Sequence, residues 1–397
     1  MDKLEKPILK EVSAIVFDKL PQHDTCWSLL EGIDGKIYTG VCGEITGGMS
    51  AYIAAFEPGT GRIDYLTAIA DVLGVPAGNG QATHSKVHYS MLQDDDGIIY
   101  AATHCTGAPL DDWLWRPWNC WNHPDKFFSG SGLAAIRPDG TVLFSKIILP
   151  KEGSRCMALA KKQRRIYGIS YPRNHFFVFD LRTKEIRDIG RIGNINPQCI
   201  FLDDRENAFT TDDYGQIIKF CPDRNEFIET GVSIPHAHFR NGFHNTVYDV
   251  TPDPGANAVW GVTWNWGARL FRYDFDTGRI DDFGKAYGED GKAWDHIIHD
   301  HAGGLVFGPD RKLYFAANLR DAGGRTHLIC FDPVSAERHD LGEIAVPEMP
   351  CDHIARGVCG KDGCLYLAEV GNTPTRLFKC DIGYTAKAEN KNIRTWG

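Results

Sequence analysis

The sequence predicts an all-β chain, a seven-bladed β-propeller of four-stranded antiparallel sheets, and three observations predict it. The first is a phrase that recurs seven times, in which apolar residues lead into an aromatic that small residues follow. Its copies centre on Tyr38, Tyr100, Tyr167, Phe209, Trp260, Tyr314 and Tyr366, about 40 to 70 residues apart, the range of propeller blades. The second is a turn signature running in step with the first, as in Glu57-Pro58-Gly59-Thr60-Gly61, Arg137-Pro138-Asp139-Gly140, Asp274-Phe275-Asp276-Thr277-Gly278 and Asp381-Ile382-Gly383. Asp, Pro and Gly supply the backbone geometry of a tight reversal between strands. The third is a turn ahead of the aromatic, typified by Asp94-Asp95-Asp96-Gly97.

These signals order the elements. Each marker aromatic belongs to a second strand, the turn before it closes the first hairpin, and the later turn joins the third strand to the fourth. Seven such sheets packed radially make the propeller. The last marker, Tyr366, lies close to the C-terminus, so the stretch from Ile8 to Phe17 is expected to supply the strand that closes the ring. The whole chain, residues 1–397, then reads as one propeller domain, because repeat architectures break the usual length-to-domain rule. One departure from the period stands out: residues 105–131, which carry Trp113, Trp115, Trp118 and Trp121 and are expected to overlie the channel mouth.

Composition narrows the function. With 43% apolar and 11% aromatic residues the chain can bury a large core. A net charge of −9 gives no attraction to polyanions, which argues against nucleic acid as a partner. The first residues, Met1 to Pro7, lack the apolar core of a leader, and no run approaches a membrane span. The 12 cysteines are scattered among strands, as buried thiols would be, and are too sparse for a disulfide scaffold. Together these features lead us to expect a cytoplasmic protein with no membrane partner, or a periplasmic or secreted one had a leader been removed. The oligomeric state is left open.

The repeat also locates candidate chemistry. In an antiparallel hairpin, the start of the first strand and the end of the second meet at one end of the channel. Counting twelve residues back and four forward from each marker gives His88 with His104 in the second blade and Arg155 with Tyr171 in the third. His84 competes with His88 if that strand begins earlier, and Lys86 between them is read as solvated or lying with its stem along the sheet. Forward positions elsewhere are Asp213, Trp264 and Asn318, while His353 and Arg356 fall near the backward position of the last blade.

Two imidazoles, a guanidinium and a phenol on one rim suit proton abstraction next to a carboxylate. Removing the C5 proton of a uronic acid requires a cation for the carboxylate, a base for the proton and an acid for the leaving oxygen. Arg presents a planar fork to a carboxylate, and His is the base that needs least tuning near neutral pH. Arg155 is therefore the candidate neutraliser and His88 an orienting partner. His104 and Tyr171 share the acid and base roles, with their order open. His84, Trp264, Asn318, His353 and Arg356 are candidate substrate contacts.

The run from His84-Ser85-Lys86-Val87-His88 to Ala101-Ala102-Thr103-His104 resembles a blade of the seven-bladed propeller polysaccharide lyases, and so does Ser154-Arg155-Cys156 with Ser170-Tyr171-Pro172. The nearest in pattern are ulvan lyases and rhamnose–glucuronate lyases, with oligogalacturonate lyase more distant. The resemblance implies β-elimination at a uronate by His and Tyr, with Arg on the carboxylate and an acidic oligosaccharide as substrate. Closely similar propellers hydrolyse rhamnose–glucuronate linkages, so a glycoside hydrolase is one alternative reading. A non-catalytic propeller that binds sugar or protein is another.

Two histidine groups raise the question of a metal. His236-Ala237-His238 with His244 is compact, and His296, His299 and His301 form a second set. An H-x-H pair on a strand presents both imidazoles to one ion, and some members of the resembled group hold a divalent ion on histidines. Zinc, calcium or manganese at His236, His238 and His244 is therefore the candidate cofactor, set against ordinary loop histidines. No glycine-rich nucleotide motif and no G-x-S-x-G elbow is present, so no nucleotide or organic cofactor is expected. Trp113, Trp115 and Trp118 are equally readable as a sugar platform or as a loop anchor.

Overall fold

A computed structural model of the chain describes residues 7–44, 49–75, 77, 82–105, 127–193, 198–235, 245–264, 268–287, 302–319, 325–351 and 353–384. These residues form a seven-bladed β-propeller. Five blades are separate four-stranded antiparallel sheets, each hydrogen-bonded in chain order, and the other two are joined in one eight-stranded sheet by the single pairing of Thr25 with Val370. The innermost strands are Thr25–Glu31, Met91–Gln93, Gly153–Ala160, Phe201–Leu202, Val247–Pro252, Ala302–Phe307 and His353–Cys359, blades 1 to 7 in order. In blade 7 the outermost strand is Glu11–Val16, which runs antiparallel to Arg376–Asp381 with Glu11 opposite Asp381 and Val16 opposite Arg376.

The recurrent aromatic has a physical cause. Tyr38, Tyr100, Tyr167, Phe209, Trp260, Tyr314 and Tyr366 all lie in second strands and are buried. A buried phenol must keep a hydrogen-bond partner, and the turn just before it supplies one. Tyr38 donates to Asp34 at 2.8 Å, Tyr100 to Asp94 at 3.0 Å, Tyr314 to Asp310 at 2.9 Å and Tyr366 to Asp362 at 2.8 Å. The other oxygen of each aspartate caps a turn amide, such as Ile98 N on Asp94 at 2.9 Å. One carboxylate thus shapes the hairpin and anchors the ring above it. Trp260 repeats the contact through its indole N–H to Asp253 at 3.0 Å, and Tyr167 uses Gln163 at 2.9 Å. Phe209 has no hydroxyl, and Asn207 takes over Asp203 at 2.6 Å.

Burial follows the radial order. Second strands such as Ile37–Cys42 are buried throughout, whereas fourth strands such as Glu185–Arg191 are largely exposed. The apolar core therefore lies between adjacent blades as a ring of clusters, for example Tyr167, Phe176 and Phe220 between blades 3 and 4. Turn chemistry closes the outer hairpins: Asp180 accepts from Arg182 N and Thr183 N, and Asp274 from Thr277 N.

The inner strands carry a shared irregularity. Between Ser154 and Cys156 the register shifts so that Arg155 is the extra residue of a bulge. The same happens at Tyr248 in blade 5 and Ala355 in blade 7, and in blade 1 Trp27 and Ser28 together face one residue, Gly40. A bulge re-aims a side chain that strict alternation would bury in the sheet. Among the described residues no helix is long and apolar enough to cross a membrane.

Candidate functional site

The bulges gather a polar group at one end of the channel. His88 and His104 approach edge to face with ring centroids 5.9 Å apart, His104 meets Tyr171 at 4.9 Å, and the Arg155 guanidinium lies 5.2 Å above the Tyr171 ring. The four residues that the spacing nominates as catalytic are thus brought together. The register differs from the simple count, however. His104 is paired with Lys86, not His88, and Arg155 is a bulge residue whose strand neighbour Gly153 faces Tyr171. The chain between Lys86 and Met91 is too irregular for strand counting, because Ser90 N turns back onto His88 O at 2.6 Å.

Lys86 requires a correction. It is not solvated: it is 1% exposed, its Nζ lies 2.7 Å from Glu44 and 4.2 Å over the Trp27 ring. Trp27 stacks on His88 at 4.7 Å and donates its indole N–H to Glu44 at 2.5 Å. Lys86, Trp27 and Glu44 are therefore members of the site that the spacing argument missed. The repeat carries no signal for Trp27, because the bulge moves it out of the counted register.

A second arc continues around the channel. Tyr248 and His353 share a hydrogen bond of 2.7 Å between Oη and Nε2, Trp264 lies 6.2 Å from Tyr248, and Trp27 lies 6.2 Å from His353. At the centre, Arg356 sits 3.9 Å over Tyr89 and pairs with the buried carboxylate of Asp249. Tyr89 and Arg356 also line the channel beneath, where Met91, Met157, Ile200, Val250 and Leu305 form an apolar wall. They make a floor to the polar site. Tyr89 and Asp249 are further residues outside the counted positions, while Tyr248 falls on one, twelve residues before Trp260.

The remaining candidates divide. His84 hydrogen-bonds Thr103 Oγ1 through Nδ1 at 2.8 Å and packs on Phe128, so it supports the segment that carries His104. Asn318 is half-buried and is paired with Thr326 within its own blade. Asp213 lies against the backbone of Gly193, where an added methyl would fall 2.4 Å from its Oδ1. His236, His238 and His244, together with His296, His299 and His301, lie outside the described residues, as do Trp113, Trp115, Trp118 and Trp121. Among the described residues no group of three His, Cys, Asp or Glu side chains is placed to hold a metal ion. Of the Trp-rich segment, Gly130 and Ser131 already belong to the third strand of blade 2.

Burial and charge set the electrostatics. His88 and His104 are 1% and 0% exposed. Desolvation, then the positive charges of Arg155 and Lys86, hold the His88 pKa well below its ordinary value. Desolvation followed by Lys86 and Arg155 does the same for His104. Burial alone lowers His84 to about 4, and burial partly offset by Glu44 lowers His353 to about 3. All four imidazoles are therefore neutral near pH 7. A backbone hydrogen bond with Arg155 offsets only a small part of the lowering at His88. Arg155 donates from Nε to Gln198 at 3.0 Å, and among the described residues no carboxylate pairs with it.

Comparison with known proteins gives the fold. No known family and no curated protein matches the sequence. Among solved structures, the chain is similar to the extracellular domain of the putative hybrid two-component system BT4673 from B. thetaiotaomicron. The TM-score is 0.60 and the identity 11%, over 93% of this chain and 39% of that one. It is also similar to the RRP9 WD40 repeats, with a TM-score of 0.59 and 10% identity over 96% and 100% of the two chains. The chain thus spans about two fifths of that extracellular domain's length. At these identities the likeness carries the propeller architecture and nothing finer.

Proposed function

We propose that this propeller binds an acidic sugar at the His88–His104–Arg155–Tyr171 end of its channel and cleaves it by β-elimination at a uronic acid. The observation that carries the reading is Arg155: a nearly buried guanidinium, without a carboxylate partner among the described residues, beside two neutral imidazoles and a phenol. Burying such a charge is costly unless a ligand completes it, and a uronate carboxylate matches its fork. With the carboxylate neutralised, the C5 proton becomes acidic enough for a neutral imidazole or an ionised phenol to remove. The electron pair forms the C4–C5 double bond, the C4–O bond breaks, and the partner group protonates the departing oxygen. His104 and Tyr171, with ring centroids 4.9 Å apart, stand close enough to serve the C5 proton and the neighbouring C4 oxygen of one sugar. Either order of acid and base is consistent with this spacing.

A second reading is a propeller that binds an acidic ligand without turning it over. The near-complete burial of both imidazoles favours it, and the similar solved propellers, an extracellular domain of a two-component system and WD40 repeats, are consistent with it. One experiment separates the readings: exposure of the protein to a panel of uronate-containing oligosaccharides, including ulvan and gum arabic fragments, followed by ultraviolet absorbance and by calorimetry. New absorbance from an unsaturated uronate, lost in His104→Ala and in Arg155→Ala with the fold retained, supports elimination. Sugar release without absorbance indicates hydrolysis. Heat of binding without product indicates the binding propeller, and full turnover in either variant removes the site.

A further inference from the structure

Lys86 occupies a position that a structural lysine has little reason to hold. Its backbone exchanges both hydrogen bonds with His104, 3.1 Å in one direction and 2.8 Å in the other, the antiparallel arrangement that sets two side chains beside each other on one face. His88 follows two residues later. The ammonium is fixed by Glu44 at 2.7 Å and by the Trp27 ring at 4.2 Å, and that ring is itself stacked on His88. The titratable and charged groups that face it are Glu44 and Cys42 from blade 1, Arg155 from blade 3, and His88 and His104 from its own blade.

The two members of the ion pair are not equivalent. The Lys86 side chain is 2% exposed and that of Glu44 is 21% exposed. Water screens the carboxylate, while the ammonium acts through protein, where charges are felt more strongly. The imidazoles therefore sense a net positive field even though the lysine is paired.

We propose that Lys86 is a positioning residue whose fixed charge reinforces burial in keeping His88 and His104 as neutral imidazoles until an anionic ligand arrives. This rests on the reading of the channel mouth as a proton-transfer site. Two cations, Lys86 and Arg155, oppose protonation of the free site, so an imidazole is always available as base. A bound carboxylate cancels part of that field and raises the basicity of the same imidazoles at the moment a proton must be taken. Arg155 changes its electrostatic state when it meets the ligand. Lys86, bound to Glu44, does not, and so it is the constant part of the field.

The test is a titration of the full-length, ligand-free protein by NMR with ring-labelled histidine, His88→Gln and His104→Gln serving to assign the two signals. Lys86→Met removes the charge at nearly constant volume, and Lys86→Arg keeps it. In the unaltered protein both imidazoles are expected to stay neutral as the pH is lowered through the range where exposed histidines titrate. In Lys86→Met both titrations should move up by about one pH unit, and Lys86→Arg should largely restore them. Unchanged titrations in a folded Lys86→Met protein overturn the proposal. If the single variant unfolds because Glu44 loses its ammonium, the Lys86→Met, Glu44→Gln double variant removes both charges, and a shift in the same direction, smaller because the opposing carboxylate is also gone, is expected of it. The readout needs no substrate. If no uronate is turned over while the imidazoles shift as stated, the functional reading fails and the role of Lys86 stands. If turnover is found and the imidazoles do not move, the reverse holds.

Discussion

A single methyl group placed at Gly153 tests the geometry of the site. Gly153 opens the inner strand of blade 3, pairs with Tyr171, and lies directly against the His104 ring. Its backbone is outside the left-handed region, so alanine is conformationally acceptable there and space is the only obstacle. A Cβ at this position would fall 2.2 Å from His104 Nδ1, 3.1 Å from Cγ and 3.2 Å from Cα. Ordinary contact begins near 3.4 Å, so the ring must retreat by about 1.2 Å. The paired strands resist parting, so the imidazole moves first and its 4.9 Å contact with Tyr171 is disturbed. Overpacking of this kind costs about 1–3 kcal/mol, and a misplacement near 1 Å lowers turnover about 100-fold. Urea unfolding and the absorbance assay measure the two effects. A double-mutant cycle makes the test independent of activity: in a His104→Ala background the stability penalty of Gly153→Ala should largely vanish. A penalty that persists there, or a Gly153→Ala protein as stable and active as the original, would refute the packing argument.

Other outcomes follow from the same structure. Tyr366→Phe deletes the hydroxyl that donates to Asp362, and because Lys379 still holds that carboxylate at 2.8 Å the loss should be about 1 kcal/mol in urea unfolding. Asp249→Ala leaves the Arg356 guanidinium without its buried partner and should cost about 3–5 kcal/mol, read from the same unfolding curves. Acid should weaken the fold through the buried histidines, because the unfolded chain takes up protons below its His pKa of 6.5 while the folded chain does not. The contribution of His84 is complete above pH 6.5 and is lost as the pH falls towards about 4, an effect of about 3 kcal/mol, and that of His353 is lost towards about 3. Denaturation midpoints that stay flat between pH 7.5 and 4.5 would contradict this.

What the sequence discloses depends on how local the cause is. The marker aromatics are legible because the turn residue that holds most of them lies only a few positions away, as Asp34 does for Tyr38 and Gln163 for Tyr167. That Tyr171 lies near Arg155, and His88 near His104, at one rim is legible for a similar reason, since hairpin length fixes which ends meet even where the register slips. Lys86 was misread because its burial comes from Glu44 and Trp27, in another blade and more than 40 positions away. Trp27 and Asp249 lie one residue beyond the counted positions Cys26 and Tyr248, and nothing in the spacing announces the bulges beside them; Tyr248 lies on the count, as Arg155 does, but a lone tyrosine there carries no signal of its own.

The seventh blade draws its outer strand, Glu11–Val16, from one end of the chain and its other three from the other end. During synthesis that strand emerges first and waits for Arg376–Asp381, so six blades can form while the seventh is still incomplete. Contacts between positions so far apart are slow to find, and until they form, Arg376–Asp381 is an open edge able to recruit a strand from another molecule. His353 and Arg356 belong to this last blade. The channel mouth is therefore finished only when the ring is, and a chain clipped near Glu11–Val16 loses the outer support of the blade that carries them.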